Sequence, residues 1–397
     1  LLIAHLADLH LGYRAYHRVD AAGLNVRESD VARAFADAAD RVADARPDVV
    51  LVAGDVFHTV RPSNASIAEA FRRFSSLAAR LPRVPIVVIA GNHDSPRSTD
   101  TGHILALFRE IAGLEVVTDA ATRVALPALD ASVLCVPHPA LARIPDSGTD
   151  GDADRARART FEPDPRAGTN LLALHATVTG AAAGRKLHWV SEFGGVTVDE
   201  AEIDASRWAY VALGHYHIAT EIAPNMWYAG STERTSSNVW MEADVEKGFV
   251  LFDTGTGVAR FEPLPTRPVV DLPRVTARGR DVAELDAALL SAVESIPDGL
   301  DGKIVRLVVS DIPRHVVREL NHRRIRDWKA AAVHFHLDLR PPEVRRGGAF
   351  AGRGRPTLRA EVDAFLAEQW EPSATSIRRE RLLELSGRYL DTAGEEG

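Results

Sequence analysis

The 397-residue sequence predicts an α/β fold, a layered sandwich of sheets and helices, extended by a small α+β domain and a pair of C-terminal helices. Three observations carry that reading. Short apolar runs alternate with helix-period segments over roughly the first 120 residues. Closely spaced strand candidates follow Leu114. Pro263, Pro265 and Pro268 then mark a boundary beyond which a shorter mixed pattern begins. A chain of this length accommodates two or three domains.

Leu1 to Ala7 reads as the first core strand, since no basic segment precedes it and it runs directly into Asp8 and His10. Val49 to Ala53 is the second strand. The stretch between them places Val31, Ala34, Phe35, Ala38, Val42 and Ala45 on one helical face, giving a βαβ pattern. A second helix over Ala65 to Ala79 and a strand over Ile86 to Ala90 continue it, so a mostly parallel sheet covered by helices is expected. Strand candidates around Val116, Val124, Leu134, Leu172, Val211, Phe249 and Ala259 have few helices between them, which predicts antiparallel or mixed pairing. Arg143 to Gly168 lacks periodicity and reads as an exposed insertion without assigned chemistry.

Beyond the prolines, Val269 to Thr276, Val282 to Ile296, Ile304 to Val309 and Val333 to Leu339 suggest the small α+β domain. Arg345 to Pro356, rich in Gly and Arg, reads as a flexible basic linker. Leu358 to Leu390 reads as two amphipathic helices broken near Pro372. The domain expectation is therefore 1–265, 266–345, a linker over 346–356, and a helical segment over 357–397.

Hydrophobic residues make up 46% and charged residues 26% of the chain, and no apolar run is long enough to span a bilayer. No membrane association is expected. The single cysteine, Cys135, lies in an apolar run and cannot form an internal disulfide, which fits a reducing, cytoplasmic compartment. A net charge of −8 excludes a protein coated in positive charge, so nucleic-acid binding would rest on local patches and metals. Residues 266–356 hold 17 basic against 12 acidic side chains, and the segments on both sides are acidic in balance.

Asp8 and His10 follow the first strand at spacing i, i+2, which turns both side chains to one side of an extended backbone. Gly54-Asp55 and Gly91-Asn92-His93-Asp94 end the second and third strands, His175 ends Leu171 to Leu174, and Gly214-His215-Tyr216-His217 ends Tyr210 to Leu213. In an open parallel sheet the carboxyl ends of strands share one edge, so these residues converge. Asp, Asn and His without Cys suit Mn²⁺, Fe²⁺ or Zn²⁺ better than an all-oxygen Mg²⁺ or Ca²⁺ site. Two metals share this many ligands comfortably. Taken singly, Asp-x-His is more often a turn or cap; in this order, each at a strand end, the set reads as a metal site.

Together these motifs resemble the calcineurin-like metallophosphoesterases. Leu9 to Tyr13, Gly54 to His58 followed by Arg61-Pro62, and Gly230 to Arg234 resemble the SbcD branch of that superfamily, the nuclease subunits of bacterial double-strand-break repair. The resemblance covers about residues 1 to 345, strongly at the motifs and weakly after 265. It implies that Asp8, His10, Asp55 and His217 hold one metal and Asp55, Asn92, His175 and His215 another, with Asp55 bridging and Mn²⁺ as the usual ion. It further implies that His93 steadies the phosphate and protonates the leaving oxygen, that His58 positions the phosphate, and that His17 and Arg61 face DNA. Taken alone, His17 reads as a solvated surface residue.

The resemblance also implies a 3′ to 5′ exonuclease on duplex ends with single-strand endonuclease activity, a capping domain over 266–345 that contacts DNA, and final helices that dock an SbcC-like coiled-coil ATPase. A homodimer is compatible with it. Two other readings compete. A small-molecule phosphodiesterase or phosphatase of the same superfamily would lack a use for His58 and the cap; a metal-bound scaffold protein of an ATPase complex would have no need of His93 and all seven ligands.

Overall fold

The computed structural model describes residues 1–96, 102–142, 161–186, 195–342, 358–368 and 379–393. The described residues divide into one compact unit within 1–341 and a second within 342–397.

In the first unit, β1 (Leu2–Leu6), β2 (Val49–Val52), β3 (Ile86–Ile89) and β4 (Leu114–Val117) pair in parallel. Helices α1 (Val26–Ala45) and α2 (Asn64–Arg80) make the first two crossovers. Local chemistry sets their starts: the Asn25 side chain accepts from Arg27 N, and Ser63 accepts from Ser66 N, each satisfying an otherwise orphaned helical donor. Their apolar faces, with Val31, Phe35, Val42, Phe74 and Leu77, cover one side of the sheet.

A second sheet follows, built from β5 (Thr122–Leu126), β6 (Ala131–Val136), β7 (Thr169–His175), β10 (Tyr210–Gly214), β11 (Thr220–Ala223) and β12 (Met226–Tyr228), in the order β11-β12-β10-β7-β6-β5. A separate pair, β8 (Thr177–Thr179) and β9 (Thr197–Asp199), sits beside it. Antiparallel pairing is confined to the edges: β6, β7, β10 and β12 are parallel. The second sheet is thus mixed, within the expectation of antiparallel or mixed pairing, because long connections return β7 and β10 in the same sense as β6. The chain then rejoins the first sheet through β13 (Gly248–Asp253), antiparallel to β1, and β14 (Val258–Pro263), antiparallel to β13 at the sheet edge.

The two sheets face each other across a dry layer of Ile3, Leu51, Ile89, Val133, Ala173, Ala212 and Phe252. One polar contact crosses that layer. His5 Nδ1 lies 2.9 Å from Tyr210 Oη, and burial holds the His5 imidazole down to a pKa of about 3, against a smaller opposing effect of the Leu213 backbone. Phe161, fully buried in the outer cluster of the second sheet, is where the described chain resumes; 143–160 of the expected insertion lies outside the described residues.

A four-stranded sheet follows, with β15 (Val269–Asp271), β16 (Val275–Thr276) and β18 (His334–Leu339) all parallel to β17 (Ile304–Ser310). The single strand expected over Val269 to Thr276 is two, because Pro273 cannot donate to a ladder. Helices Val282–Glu294 and His322–Ala331 pack Leu285, Leu289, Ile325 and Trp328 on one face of this sheet. The first of them starts with a capping box between Asp281 and Glu284. On the other face Val269 and Ile304 meet Val239 of the larger body.

A buried charge network fastens this sheet to the rest. Arg27 of α1 donates to Asp30 at 2.7 Å and to Glu233 at 3.2 Å. Arg267 donates to Asp30 at 2.6 Å through Nη2 and to the Gly302 carbonyl at 2.6 Å through Nη1. Its backbone N–H reaches Glu233 at 3.2 Å. In the second unit, helices Leu358–Glu368 and Arg379–Ala393 touch through Arg359 and the Gly387 carbonyl, 3.4 Å apart, and Phe365 and Tyr389 are exposed. The linker expected over 346–356 and the break at Pro372 lie outside the described residues. Among the described residues no helix is long and apolar enough to cross a membrane.

Candidate metal centre

The loops after β1 and β2 are zipped together beyond the end of their ladder. Asp8 N–H donates to the Gly54 carbonyl at 3.0 Å, His10 N–H to Asp55 at 2.9 Å, and Leu11 N–H to Val56 at 2.9 Å. Asp8, His10, Asp55 and His215 all take positive φ, between 48° and 100°, which side chains rarely adopt and which persists only where surrounding contacts dictate it. Gly91 permits a close approach, since a Cβ there would lie 2.0 Å from Asp55 Oδ1.

The strand ends deliver two donor clusters, Asp8 with His10 and His217, and Asp55 with His175 and His215, all buried. In the first, His10 Nε2 and His217 Nε2 lie 2.9 Å apart. In the second, the Asn92 side-chain oxygen lies 2.9 Å from His175 Nε2 and 3.0 Å from His215 Nδ1. Asp55 stands between them: its Oδ2 is 3.9 Å from His10 Nε2 and 3.4 Å from His175 Nε2, buried and without a hydrogen bond, while Oδ1 accepts from His93 N–H at 2.8 Å. A buried carboxylate oxygen with no donor and imidazoles converging on it from two sides is the arrangement a pair of cations satisfies. All seven residues predicted from the strand ends are therefore in one place.

Charge and orientation agree with that. Burial, with smaller charge effects, holds His10 and His217 well below the usual imidazole range and His215 at about 3, so these rings stay neutral, as metal ligation requires. For His175 the opposing burial is outweighed by Asp55, and its pKa rises to about 9. Asp55, likewise buried, is held well below the carboxylate range by His175 first and then His10. His175 Nδ1 is fixed at 2.8 Å from the Ala53 carbonyl, which aims Nε2 into the centre.

His58 and His93 form a third group with His10 and bring no carboxylate. Their rings stack at 5.2 Å, and His93 Nδ1 donates to the His58 carbonyl at 2.8 Å. Asp94 is neither ligand nor imidazole partner here: it accepts backbone N–H groups of Phe57 at 2.7 Å, Val56 at 3.0 Å and Gly91 at 3.2 Å, locking the β2 and β3 loops together. Burial, followed by the charge of Asp55, pushes it up to about 7.

Arg61 and His17 are both exposed and stand outside the donor clusters. Sequence reasoning missed His138, which follows β6 at the start of helix α3 (His138–Ala142). Its backbone N–H donates to Ala90, its Nε2 is buried without a hydrogen bond, and burial followed by His175 holds it down to about 4. The signal was the one used for His175, a histidine closing an apolar run. Lys247 was also missed. Fully buried, it donates to the His217 carbonyl at 2.7 Å and pairs with Glu242 at 2.8 Å, holding a ligand-bearing loop from behind.

Two facing mixed sheets with Asp, Asn and His loops at one edge define a metal-dependent phosphoesterase, and the chain belongs to the calcineurin-like phosphoesterase family, whose sequence model matches residues 1–219. Within that family it is similar to the DNA double-strand break repair protein Mre11 of Methanococcus maripaludis, 35% identical over 114 residues, which is 29% of this chain and 28% of that protein. The Mre11 of Thermoplasma acidophilum is 28% identical over 242 residues, 59% of this chain and 57% of that one. The SbcD component of the SbcCD nuclease from Rhodobacter capsulatus is 29% identical over 319 residues, 72% of this chain and 75% of that one. The chain thus spans under a third of the Methanococcus relative and about three quarters of the Rhodobacter one.

Proposed function

We propose that the chain is a Mn²⁺-dependent DNA nuclease, a 3′ to 5′ exonuclease on duplex ends and an endonuclease on single strands, acting with an SbcC-like coiled-coil ATPase. The observation that carries the proposal is Asp55, whose unbonded buried Oδ2 lies between the two donor clusters. Asp8, His10 and His217 would hold one ion and Asn92, His175 and His215 the other, with Asp55 serving both. When bound, two such ions supply a Lewis-acid clamp on a phosphodiester and lower the pKa of a water between them. Likeness to Mre11 and to the SbcD component of SbcCD supports DNA as the substrate.

The chain's own residues do the rest. His93, with Nδ1 committed to the His58 carbonyl, presents Nε2 for the leaving 3′ oxygen and is the general acid of this reading. His58, stacked on it, orients the phosphate, and His17 and Arg61 lie along the path of the strand. Residues 266–345 are a cap that contacts DNA with its basic excess, and 357–397 dock the ATPase.

Asp55→Asn tests the reading at its centre, because a neutral carboxamide cannot supply charge to both ions. Metal content should fall from two ions per chain, and Mn²⁺-dependent cleavage of single-stranded DNA should disappear. Full metal content with full cleavage in that variant would overturn the assignment; a wild-type chain that hydrolyses nucleotides but no DNA would make it a small-molecule enzyme.

A further inference from the structure

Rings line a path from the centre to the cap. Tyr13 stands edge-on to His58 at 4.9 Å. Three residues on, at most about 11 Å along the chain, Tyr16 stacks on His334 of β18 with centroids 3.9 Å apart and planes 13° apart. His334 and His336, at i and i+2, turn to the same face of the cap sheet, 6.1 Å apart and 18° from parallel. Trp240 lies nearly parallel to both, 6.5 Å from His334 and 6.0 Å from His336. The Arg306 guanidinium sits 5.1 Å over the Trp240 ring.

This arrangement is held in place at some expense. Tyr16 takes a φ of 62°, a backbone state side chains rarely adopt, fixed by Asn25 Nδ2 donating to its carbonyl at 3.1 Å. Arg18 donates to the Ala330 carbonyl of the cap at 3.0 Å, pinning the same loop from the other side. Tyr16 and Trp240 each rest one side against the apolar cluster of Val239, Val269 and Ile304, which holds the rings from below. His336 is exposed, and Tyr16, Trp240 and His334 are half-buried, so the cluster is reachable from solvent. Asp271 is paired with Arg306 at 2.5 Å and Asp338 with Arg340 at 2.7 Å, while Lys329 brings positive charge near His334.

We infer that Tyr16, Trp240, His334 and His336 form a stacking platform for unpaired nucleobases of a DNA strand whose scissile phosphate lies at the metal centre. The inference rests on the DNA reading above and sharpens it. Parallel aromatic planes with a guanidinium on one of them bind π-faces irrespective of base identity, and only bases released from pairing expose both faces. The platform therefore selects a single-stranded or frayed end over an intact duplex.

The test uses the full metal-loaded chain hydrolysing a small chromogenic phosphodiester. A short oligothymidylate and an abasic phosphodiester strand of equal length serve as competitors. Base stacking should make the oligothymidylate compete more strongly by about 5- to 100-fold. Trp240→Ala and His336→Ala should each narrow that ratio, and Trp240→Phe should keep most of it. Because the readout is a ratio within one protein, a fraction of misfolded chain cancels, and His336→Ala removes an exposed ring without touching the core. Equal competition by the two strands in the wild type, or a ratio unchanged in both alanine variants, sinks the platform alone. If neither strand competes at all, the DNA reading fails first and the platform falls with it.

Discussion

His93 lies with its ring 4.8 Å from that of His10 yet belongs to neither carboxylate-bearing cluster. A side chain that acts on the phosphate and leaves the ions alone should separate binding from chemistry. His93→Ala is expected to keep both ions while cleavage of DNA falls by about 10²–10⁴-fold, the usual contribution of a general acid. Metal analysis beside a single-turnover assay checks it, and unchanged turnover would refute the acid role. At this scale most of the site was legible, because Asp8, His10, Asp55, Asn92, His175, His215 and His217 each close an apolar run and strand ends converge by geometry. Lys247 was not, since it acts through the back of the His217 loop and its partner Glu242 lies in a short turn. Asp94 reads from sequence as either an acceptor for a nearby imidazole or a turn residue, and the folded loops favour the second, since it collects three backbone N–H groups.

Elements were legible where their signals are local. Helices α1 and α2 announced themselves by periodicity, while the Asn25 and Ser63 caps that start them emerge only in the fold. Pairing sense in the second sheet was not, because it depends on how far the chain travels between β6, β7 and β10, which no local window contains. The stacking of Tyr16 on His334 is hidden for the same reason. The two final helices carry exposed Phe365 and only half-buried Val362, Leu366, Leu382 and Leu385, so they have little core of their own. Truncation after Pro356 is expected to leave Mn²⁺-dependent cleavage of single-stranded DNA in place and to abolish co-purification with the coiled-coil ATPase. Undiminished binding by a well-folded truncated chain would place the docking surface elsewhere, and an insoluble product would mean that these helices complete the body.

At the scale of the whole molecule, two sheets share a layer crossed by the hydrogen bond between His5 and Tyr210. The His5 pKa falls from 6.5 in the unfolded chain to about 3 in the fold. Between those values the unfolded state binds more protons, so the contribution is complete above pH 6.5 and is lost as pH falls toward 3. His5→Gln keeps a polar atom near Tyr210 Oη and cannot titrate. Its thermal midpoint should decline less steeply than the wild type's across that window, and parallel curves would assign the acid sensitivity to other groups. Arg267 has a mechanical consequence of a different kind. It clamps Asp30 of α1 and Gly302 of the cap at the very connection where a hinge would otherwise be looked for. Parting a buried ion pair by losing one partner costs about 3–5 kcal/mol, so that joint behaves as a weld and not as a pivot. The four-stranded sheet and the larger body are then expected to turn together as one piece.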